Sequence, residues 1–383
     1  MTETADVVVV GGGAVGCSAA YHLAAAGAGS VLLLERAGSV GTGSTGACAG
    51  GFRFQFSSRV HVELSLASVP MIVSFSQRHG LPLDVVRDGY LFLIRDELAR
   101  QRFAAAAEMQ RSLGVDTRMI TPQAAATLVP GIELEGVVAA SYCPDDGISD
   151  PGGLTQGYAT LASRVGASLR MGVEATGIVV HGGRMTGVRT STGSVATGAI
   201  VNAAGPWAGS LAASAGLELP LEPIPRTVVT TGPFPGAPDR RTLVIDDATS
   251  FYLHREGEGV LMGMGDIEER ASFSLQVDDR FLAETLLPVA TRVFPPLQAA
   301  RVARTWVGLY EMTPDRHPIL GGTSIQGLWL ANGFSGHGFQ HAPVVGLLLA
   351  EMIVNGAAST VDVSSLGLDR FERGDLVAEH QVV

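Results

Sequence analysis

The first 35 residues contain the pattern that most constrains how this chain folds. An unbroken apolar run at residues 7–10 leads into the glycine-rich sequence 11–16, and a second apolar run, 31–34, ends at Glu35. Apolar runs without polar alternation are typical of strands buried on both faces of a parallel sheet. A strand, a glycine-rich turn, a helix and a second strand in this order predict a βαβ unit that binds an adenine dinucleotide.

The glycines of this unit each suit a different geometric requirement. Gly11 permits the tight turn after the strand, Gly13 lets the backbone approach a pyrophosphate, and Gly16 lets the helix pack closely on the strand. The positive end of that helix then points at the diphosphate. Glu35 lies about twenty residues further along the chain, where its carboxylate can accept hydrogen bonds from a ribose.

Charge and composition argue against several other classes of protein. The formal net charge is −11 and no basic stripe is present, so we expect no nucleic-acid partner. The most apolar stretch, residues 344–354, contains Glu351 and is too short to span a membrane. With no basic region before the first strand, we expect a soluble cytoplasmic protein without a membrane span. The three cysteines have neither a disulfide-framework spacing nor a CxxC spacing, and we expect no metal site.

The segments that follow the opening unit extend the same domain. A small-residue loop at 41–51 leads into a helical stretch that ends at about Gly80. Another helix begins at Pro151 with Asp150 as its N-cap. Residues 169–201 alternate in polarity and contain two glycine-containing turns, which predicts a three-stranded meander.

The other segments predict a second domain. Residues 85–95 predict a hairpin and residues 96–113 an amphipathic helix. Residues 218–310 alternate and predict an antiparallel sheet with one helix near 278–294. We therefore predict a discontinuous nucleotide-binding domain, residues 1–80, 145–217 and 312–383, and a substrate domain, residues 81–144 and 218–311.

Two later motifs also place glycine after a buried strand. Residues 199–207, AIVNAAGPW, predict a strand that runs into a glycine and a helix, which is a second point of close approach to the nucleotide. Residues 332–340, NGFSGHGFQ, precede a final apolar helix. A helix cap alone does not explain this concentration of glycines, aromatic residues and a histidine.

Together with GLYEMTPDRHPILG at residues 308–321, these motifs resemble those of the D-amino-acid oxidase superfamily of flavoproteins, in particular its sarcosine oxidase branch. The resemblance covers most of the chain and implies FAD as the cofactor in place of NAD. It implies an α/β fold in which a Rossmann-like FAD-binding domain carries an inserted α+β substrate domain with a mixed or antiparallel sheet. It also implies oxidation of the C–N bond of an amino acid, or of a secondary or N-methyl amine, to an imine by hydride transfer to flavin.

The resemblance also assigns residues to the two ligands. In this family the turn before the last helix places backbone N–H groups and the positive helix end near the flavin, where the reduced flavin carries negative charge. The residues implied in FAD binding are Gly11, Gly13, Ala14, Val15, Gly16, Glu35, Arg36, Gly43, Ser44, Thr45, Gly51, Val173, Ala204, Gly205, Trp207, Gly333, Ser335, Gly336, His337, Gly338, Phe339 and Gln340. Those implied in the catalytic site are Arg53, Tyr252, Tyr310, His337 and Gln340, whereas Glu311 is interpreted as a solvated acid.

The chain departs from the family pattern at three positions. Gly308 stands where relatives with covalent flavin have a cysteine, so we expect FAD to be bound non-covalently. Tyr310 stands where D-amino-acid and glycine oxidases have a carboxylate-binding arginine. Sarcosine oxidases use an arginine and a lysine instead, and this chain has Arg53 for the first and Gln340 for the second. We therefore expect Arg53 to anchor a substrate carboxylate, with weaker help from the neutral amide of Gln340.

The chain contains no lysine, because all 26 residues counted as Lys plus Arg are arginines. In the sarcosine oxidase branch a lysine beside the flavin stabilises developing superoxide, and here an arginine or a protonated His337 would have to replace it. We therefore expect slow reaction with oxygen and faster turnover with another electron acceptor.

Three alternatives stay open: a flavin β-subunit that passes electrons to partner subunits of a heteromeric amine dehydrogenase, a 2-hydroxy-acid dehydrogenase on the same fold, and an NAD-dependent enzyme without flavin.

Overall fold

The computed structural model describes residues 3–266, 268 and 270–381. Its strands are β1 (Glu3–Val10), β2 (Val31–Glu35), β3 (Gly51–Phe52), β4 (Val85–Val86), β5 (Tyr90–Ile94), β6 (Arg118–Ile120), β7 (Ala139–Cys143), β8 (Gly147–Ser149), β9 (Ser168–Met171), β10 (Ala175–His181), β11 (Arg184–Thr190), β12 (Gly193–Asn202), β13 (Glu222–Thr231), β14 (Leu243–Asp246), β15 (Phe251–Glu256), β16 (Gly259–Met264), β17 (Val302–Met312), β18 (Ile319–Gly322) and β19 (Leu328–Asn332). Its α-helices are α1 (Ala14–Ala25), α2 (Ser44–Ala47), α3 (Arg59–Val73), α4 (Phe75–His79), α5 (Glu97–Ser112), α6 (Pro122–Leu128), α7 (Pro151–Arg164), α8 (Ala208–Ala213), α9 (Asp279–Phe281), α10 (Leu287–Val293), α11 (Gly338–Ala350) and α12 (Arg370–Arg373).

An eight-stranded sheet is built around the N-terminal βαβ unit. Its strands run in the order β10–β11–β12–β1–β2–β9, and β19 pairs with both β12 and β18. β1 is parallel to β2 and to β12, as predicted for the strand that opens the unit. Val7 and Val9 face a core formed with α1, α3, α7 and α11, whereas Val8 and Val10 face the opposite core, beside the β10–β12 meander. This burial on both faces explains why the strand is apolar at consecutive positions.

The turn after β1 has the predicted glycine geometry. Gly11 has a φ of +113°, and a Cβ atom added there would lie 2.2 Å from the carbonyl oxygen of Ala203. A Cβ atom at Gly16 would lie 1.9 Å from the carbonyl oxygen of Gly11. Only glycine therefore lets α1 begin at Ala14 and pack this closely against β1 and the end of β12.

The second large sheet contains strands from two parts of the chain, residues 90–143 and residues 222–312. Its order is β17–β13–β16–β15–β14–β5–β7–β6, and the neighbours are antiparallel except β14 and β5, which are parallel. A helical segment from α9 through a π turn, Leu282–Leu286, to α10 packs on this sheet through Leu286, Ala290 and Val293. A mixed, mainly antiparallel second sheet is the arrangement that the family resemblance implied for the fold.

The predicted hairpin at residues 85–95 is wrong. β4 pairs with β8 in a small sheet that also contains β3, whereas β5 pairs with β7 and β14 in the second large sheet. Gly89, with a φ of +84°, donates its N–H to the carbonyl of Asp146 and carries the chain from one sheet to the other. The local alternation predicted two strands correctly, but their partners β7, β8 and β14 lie much further along the chain.

Two helix predictions are confirmed, and each of these helices begins after an aspartate that caps it. α5 starts after Asp96, whose side chain accepts a hydrogen bond from the N–H of Ala99 at 2.7 Å. α7 starts after Asp150, whose side chain accepts from the N–H of Gly152 at 2.9 Å. Across the described residues, no helix combines the length and the apolar character needed to cross a bilayer.

Candidate active site

A cavity of about 750 Å³ is lined by residues from both large sheets. It brings together most of the residues predicted to bind the cofactor: Gly11, Gly13, Ala14, Val15, Glu35, Arg36, Gly43, Ser44, Thr45, Gly51, Val173, Ala204, Gly205, Trp207, Gly336, His337, Gly338, Phe339 and Gln340. Arg53, Tyr252 and Tyr310 line the same cavity. The predicted residues Gly16, Gly333 and Ser335 lie outside its wall.

One end of the cavity is formed by the β1–α1 turn and the end of β2. The Glu35 carboxylate accepts hydrogen bonds from the N–H of Gly12 at 2.6 Å and from the N–H of Ala37 at 2.8 Å. The guanidinium of Arg36 lies 3.6 Å from the centre of the Trp207 ring. A helix N-terminus, exposed backbone N–H groups and a carboxylate at the strand end are the features that suit a pyrophosphate and a ribose, so these residues fit FAD.

The turn before α11 closes the cavity on another side. Ser335 has a φ of +49° and Gly336 a φ of +93°. A Cβ atom at Gly336 would lie 2.5 Å from the Tyr310 ring, so glycine lets this backbone approach the aromatic ring. Ser335 donates its N–H to the carbonyl of Glu311 at 3.1 Å, which fixes the turn against β17. Ser335 thus shapes the turn from outside the cavity, and α11 directs its positive end toward the cavity.

Glu311 is part of the cavity wall and not the solvated acid expected from the sequence. Its Oε1 accepts a hydrogen bond from the N–H of Phe334 at 3.3 Å. Burial outweighs the backbone hydrogen bonds from the 333–334 turn and raises the pKa of Glu311 to about 7. The side chain therefore titrates near neutral pH, beside the cofactor region.

Arg53 is buried and its guanidinium is already bound by protein groups. It donates to the carbonyl oxygens of Gln55 and Gln381, and its Nη2 lies 3.1 Å from Nε2 of His337. Its carbon Cζ lies 4.0 Å from the centre of the Phe56 ring. Arg53 borders the cavity as predicted, but these contacts engage part of its N–H donors with protein groups. A direct contact with substrate stays a prediction.

Gln340 holds the backbone of Arg53. Its Oε1 accepts from the N–H of Arg53 at 3.0 Å, and its Nε2 donates to the carbonyl of Arg53 at 3.2 Å and to Oγ of Ser65 at 3.1 Å. An amide bound in this way to both main-chain groups of one residue acts as a positioning group. The predicted contact between Gln340 and a substrate carboxylate also stays a prediction.

His337 is a neutral group in this environment. Because the Arg53 guanidinium can only donate, Nε2 of His337 accepts and the ring proton resides on Nδ1. Burial and the adjacent charge of Arg53 hold the pKa of His337 well below its usual value. This environment disfavours the protonated His337 that could replace the missing lysine, because protonation would place two cations side by side in a buried site.

The second sheet presents one face to the cavity. Arg226 on β13 pairs with Gly308 on β17, and Tyr252 on β15 pairs with Gly263 on β16. Residues directly opposite in antiparallel strands point to the same side of the sheet, as do residues two apart. Tyr310 is therefore on this face too, and the cation of Arg226 lies 4.9 Å from the centre of its ring.

The sequence reasoning missed Arg226, which lines the cavity and is only 6% exposed. The available signal was an arginine between Ile224 and Val228, two apolar residues on the same face of an alternating strand. Burial raises the pKa of Tyr252 well above its usual value, so its phenol is a neutral hydrogen-bond donor.

A cluster next to the Arg53 loop contains possible metal ligands, His61, His317 and Glu379. The hydroxyl oxygen of Ser58 lies among them, 3.2 Å from Nδ1 of His61, 2.8 Å from Oε2 of Glu379 and 2.9 Å from Nε2 of His317. These groups therefore satisfy one another by hydrogen bonds through a hydroxyl that occupies the centre of the cluster.

The comparisons with known proteins agree with this geometry. A family model described as FAD dependent oxidoreductase matches residues 6–352. FAD-dependent oxidoreductase domain-containing protein 1 of Xenopus laevis is 30% identical over 427 residues, covering 100% of this chain and 85% of the relative. Sarcosine oxidase subunit beta of an Arthrobacter species is 29% identical over 391 residues, covering 98% of this chain and 93% of the relative. The crystal structure of L-proline dehydrogenase from P. horikoshii matches with a TM-score of 0.91 and 34% identity, covering 98% of this chain and 100% of that structure.

Proposed function

The chain belongs to the FAD-dependent oxidoreductase family, and we propose that it oxidises the C–N bond of a secondary or N-methyl amino acid to an imine. The observation that carries this proposal is the composition of the cavity beside the turn before α11. That region combines a buried arginine, Arg226, with the phenols of Tyr252 and Tyr310. A cation and two neutral donors suit an amino acid, whose carboxylate needs charged recognition and whose amine must be oriented.

The residues of the chain bind and orient the substrate. FAD, when bound, supplies the hydride acceptor. The β1–α1 turn, Glu35 and the turn before α11 would hold the cofactor, and the face of the second sheet would cover the substrate. Hydride leaves the neutral form of the amine, so the site needs a group that accepts the proton of the substrate ammonium. This group need not be a strong base. Glu311 lies in the cavity wall, and burial raises its pKa to about 7. Its carboxylate can therefore accept this proton near neutral pH.

The names of two relatives support the choice of substrate class. One is a sarcosine oxidase subunit and the other an L-proline dehydrogenase, and both names refer to secondary amino acids. We therefore propose sarcosine-like and proline-like compounds before primary amino acids.

Anaerobic stopped-flow spectroscopy of the flavin-loaded protein tests this proposal. We expect sarcosine, L-proline or a related N-alkyl amino acid to bleach the flavin absorbance, with saturation as the substrate concentration rises. Faster bleaching by 2-hydroxy acids, with no bleaching by any amine, would contradict amine oxidation and support the hydroxy-acid alternative. Protein that contains no flavin and reacts only with NAD would contradict the flavoenzyme function.

A second candidate is the same chemistry within a larger complex. The observation that favours it is the similarity to a sarcosine oxidase subunit beta, which by its name is one chain of several. Purification of the tagged chain from its native host tests this candidate. Stoichiometric partner chains that accelerate reoxidation would support it, whereas full turnover by the isolated chain would contradict it.

A further inference from the structure

We infer that Glu379 is a positioning residue of the active site, which holds the Arg53 loop against the cavity. The Arg53 loop is defined as residues 53–58, between β3 and α3. Glu379 belongs to a stretch of chain that follows α12 and packs against this loop. The inference rests on the proposed function where it concerns turnover, because it assigns a residue that supports the same site from behind its wall.

The carboxylate of Glu379 is buried, and both of its oxygens bind the end of the Arg53 loop. Oε1 accepts hydrogen bonds from the N–H of Ser57 at 2.9 Å and from its hydroxyl at 2.6 Å. Oε2 accepts from the N–H of Ser58 at 2.9 Å and from its hydroxyl at 2.8 Å. Ser58 immediately precedes α3, so the carboxylate also lies at the positive end of that helix. Hydrogen bonds to a charged acceptor are strong, and these fix the point at which the loop enters α3.

The same stretch of chain also contacts Arg53 itself. The carbonyl of Gln381 accepts a hydrogen bond from Nη2 of Arg53. The N–H of Gln381 donates to Oε1 of Glu379 at 2.9 Å, so the carboxylate orients the residue whose carbonyl binds the guanidinium. Nη2 of Arg53 lies 3.1 Å from Nε2 of His337, and both residues line the cavity. A change at Glu379 therefore reaches the cavity wall through Gln381 and the Arg53 side chain.

The charge of Glu379 compensates the buried cation of Arg53. Burial lowers the pKa of Arg53, and the charge of Glu379 is the largest neighbouring influence that opposes this shift. Burial also disfavours the charged form of Glu379, but contacts with His61 and Ser57 outweigh burial and hold the pKa of Glu379 below its usual value. The carboxylate is therefore ionised at neutral pH. A buried charge that loses its compensating partner is strongly unfavourable, so the two residues should act together.

A second carboxylate holds the other half of the loop but differs in its charge. Asp146 accepts hydrogen bonds from the N–H of Phe54 at 2.7 Å and from Nε2 of Gln55 at 2.8 Å. Burial raises the pKa of Asp146 to about 7, so this group is partly protonated near neutral pH. Of the two carboxylates, Glu379 is the one that keeps its charge in this range.

Hydrogen exchange tests the effect on the loop, in the flavin-free and in the flavin-loaded protein. Glu379→Gln removes the negative charge and turns one acceptor oxygen into a donor, in a side chain of similar size. We expect peptides that cover residues 53–58 to exchange about tenfold faster in this variant than in the wild type, because the N–H groups of Ser57 and Ser58 lose a charged acceptor. Glu379→Asp gives the same comparison in a milder form if Glu379→Gln does not fold.

Glu351→Gln is the matched control. Glu351 is also a buried carboxylate, and it accepts hydrogen bonds from the N–H groups of Ser359 at 2.7 Å and Thr360 at 3.0 Å. The variant makes the same chemical change directly after α11. It should loosen residues 359–360 and leave the exchange of residues 53–58 as it is in the wild type.

A double-mutant cycle tests whether Glu379 acts through Arg53. Glu379→Gln should lower the limiting rate of anaerobic flavin bleaching about 10- to 100-fold, measured with an amino acid that reduces the wild-type protein, because small misplacements in an active site have effects of this size. In an Arg53→Met background, or in Arg53→Lys if the methionine variant does not fold, the same change should alter the rate less than about twofold. Flavin absorbance and circular dichroism establish that each variant is folded and loaded.

The inference is overturned if Glu379→Gln, or Glu379→Asp in its place, exchanges residues 53–58 at the wild-type rate. It is also overturned if the change at Glu379 lowers the bleaching rate by the same factor with and without Arg53, since a residue that only stabilises the fold has the same effect in both backgrounds. An equal loss of rate in Glu351→Gln would overturn it too. If no amine or amino acid bleaches the flavin of the wild-type protein, the proposed function has failed, and the exchange measurement alone decides whether Glu379 holds the loop.

Discussion

Replacing Gly11 by alanine should weaken FAD binding at least tenfold. Gly11 has a φ of +113°, and the new Cβ atom would lie 2.2 Å from the carbonyl oxygen of Ala203 and 2.8 Å from its carbon. A positive φ costs an L-residue about 1–2 kcal/mol, and forcing extra volume into a packed site costs about 1–3 kcal/mol more. The clash is with backbone, so the β1–α1 turn and the end of β12 must move apart.

Both of these segments line the cofactor cavity, which connects the strain to binding. If about 1.4 kcal/mol or more of a total of about 2–5 kcal/mol is relieved in the flavin-free protein and restored on binding, the dissociation constant rises about tenfold or more. Flavin-free protein is titrated with FAD, and the quenching of flavin fluorescence gives the dissociation constant. Thermal unfolding of the same samples gives the loss of stability.

Gly27→Ala is the matched control. Gly27 also has a positive φ, +78°, but a Cβ atom there would meet nothing within 4 Å. This variant should lose about 1–2 kcal/mol of stability and bind FAD as the wild type does. The reasoning is refuted if Gly11→Ala binds FAD within twofold of wild type, or if both variants lose affinity equally.

Three further predictions concern the cofactor region. FAD should leave the protein on acid precipitation, because Gly308 replaces the linking cysteine of covalent relatives; yellow colour in the washed pellet would contradict this. Burial raises the pKa of Glu311 from its usual 4.5 to about 7, so its contribution to the stability of the flavin-free protein is fully present below about pH 4.5 and is lost as the pH rises through about 7. The free energy of unfolding of Glu311→Gln in urea should therefore exceed that of the wild type by about 1–3 kcal/mol between pH 5 and pH 8. The same pH dependence of the unfolding free energy in both proteins would be inconsistent with the burial of Glu311. Substrate-reduced protein should reoxidise slowly in air and faster with a quinone or phenazine, because the chain has no lysine and His337 is held neutral; air reoxidation at the turnover rate with stoichiometric peroxide would show a true oxidase.

The features predicted correctly from the sequence are those encoded by neighbouring residues. The apolar run before Gly11, the amphipathic pattern of residues 96–113 and the Asp150–Pro151 pair each act within one helix, turn or strand. Periodicity, caps and turn residues are local properties of the chain, so they can be recognised without knowing the partners. The three cofactor motifs are likewise short, which is why the family could be recognised before the fold was known.

The features predicted wrongly or missed depend on distant partners. Residues 85–95 contain two strands, but β4 and β5 find their partners in different sheets. Glu311 looks like an ordinary strand acid until the turn at 333–334 covers it. Gln340 matches a substrate-binding position in the motif, but its amide is bound to the backbone of Arg53, 287 residues away in the chain.

The sequence by itself therefore determined the βαβ unit, the need for glycine at Gly11 and Gly16, and the membership of a flavoprotein family. The tertiary structure decided the surroundings of the two buried arginines that line the cavity. Arg53 and Arg226 are both buried arginines, and no local pattern distinguishes them. The difference arises because backbone carbonyls of Gln55 and Gln381 surround Arg53, whereas strand pairing places Arg226 opposite Gly308 and toward the cavity. Hydrogen-bond partners and strand register are set only when the chain has folded, so the surroundings of a buried arginine cannot be predicted from its neighbours in the sequence.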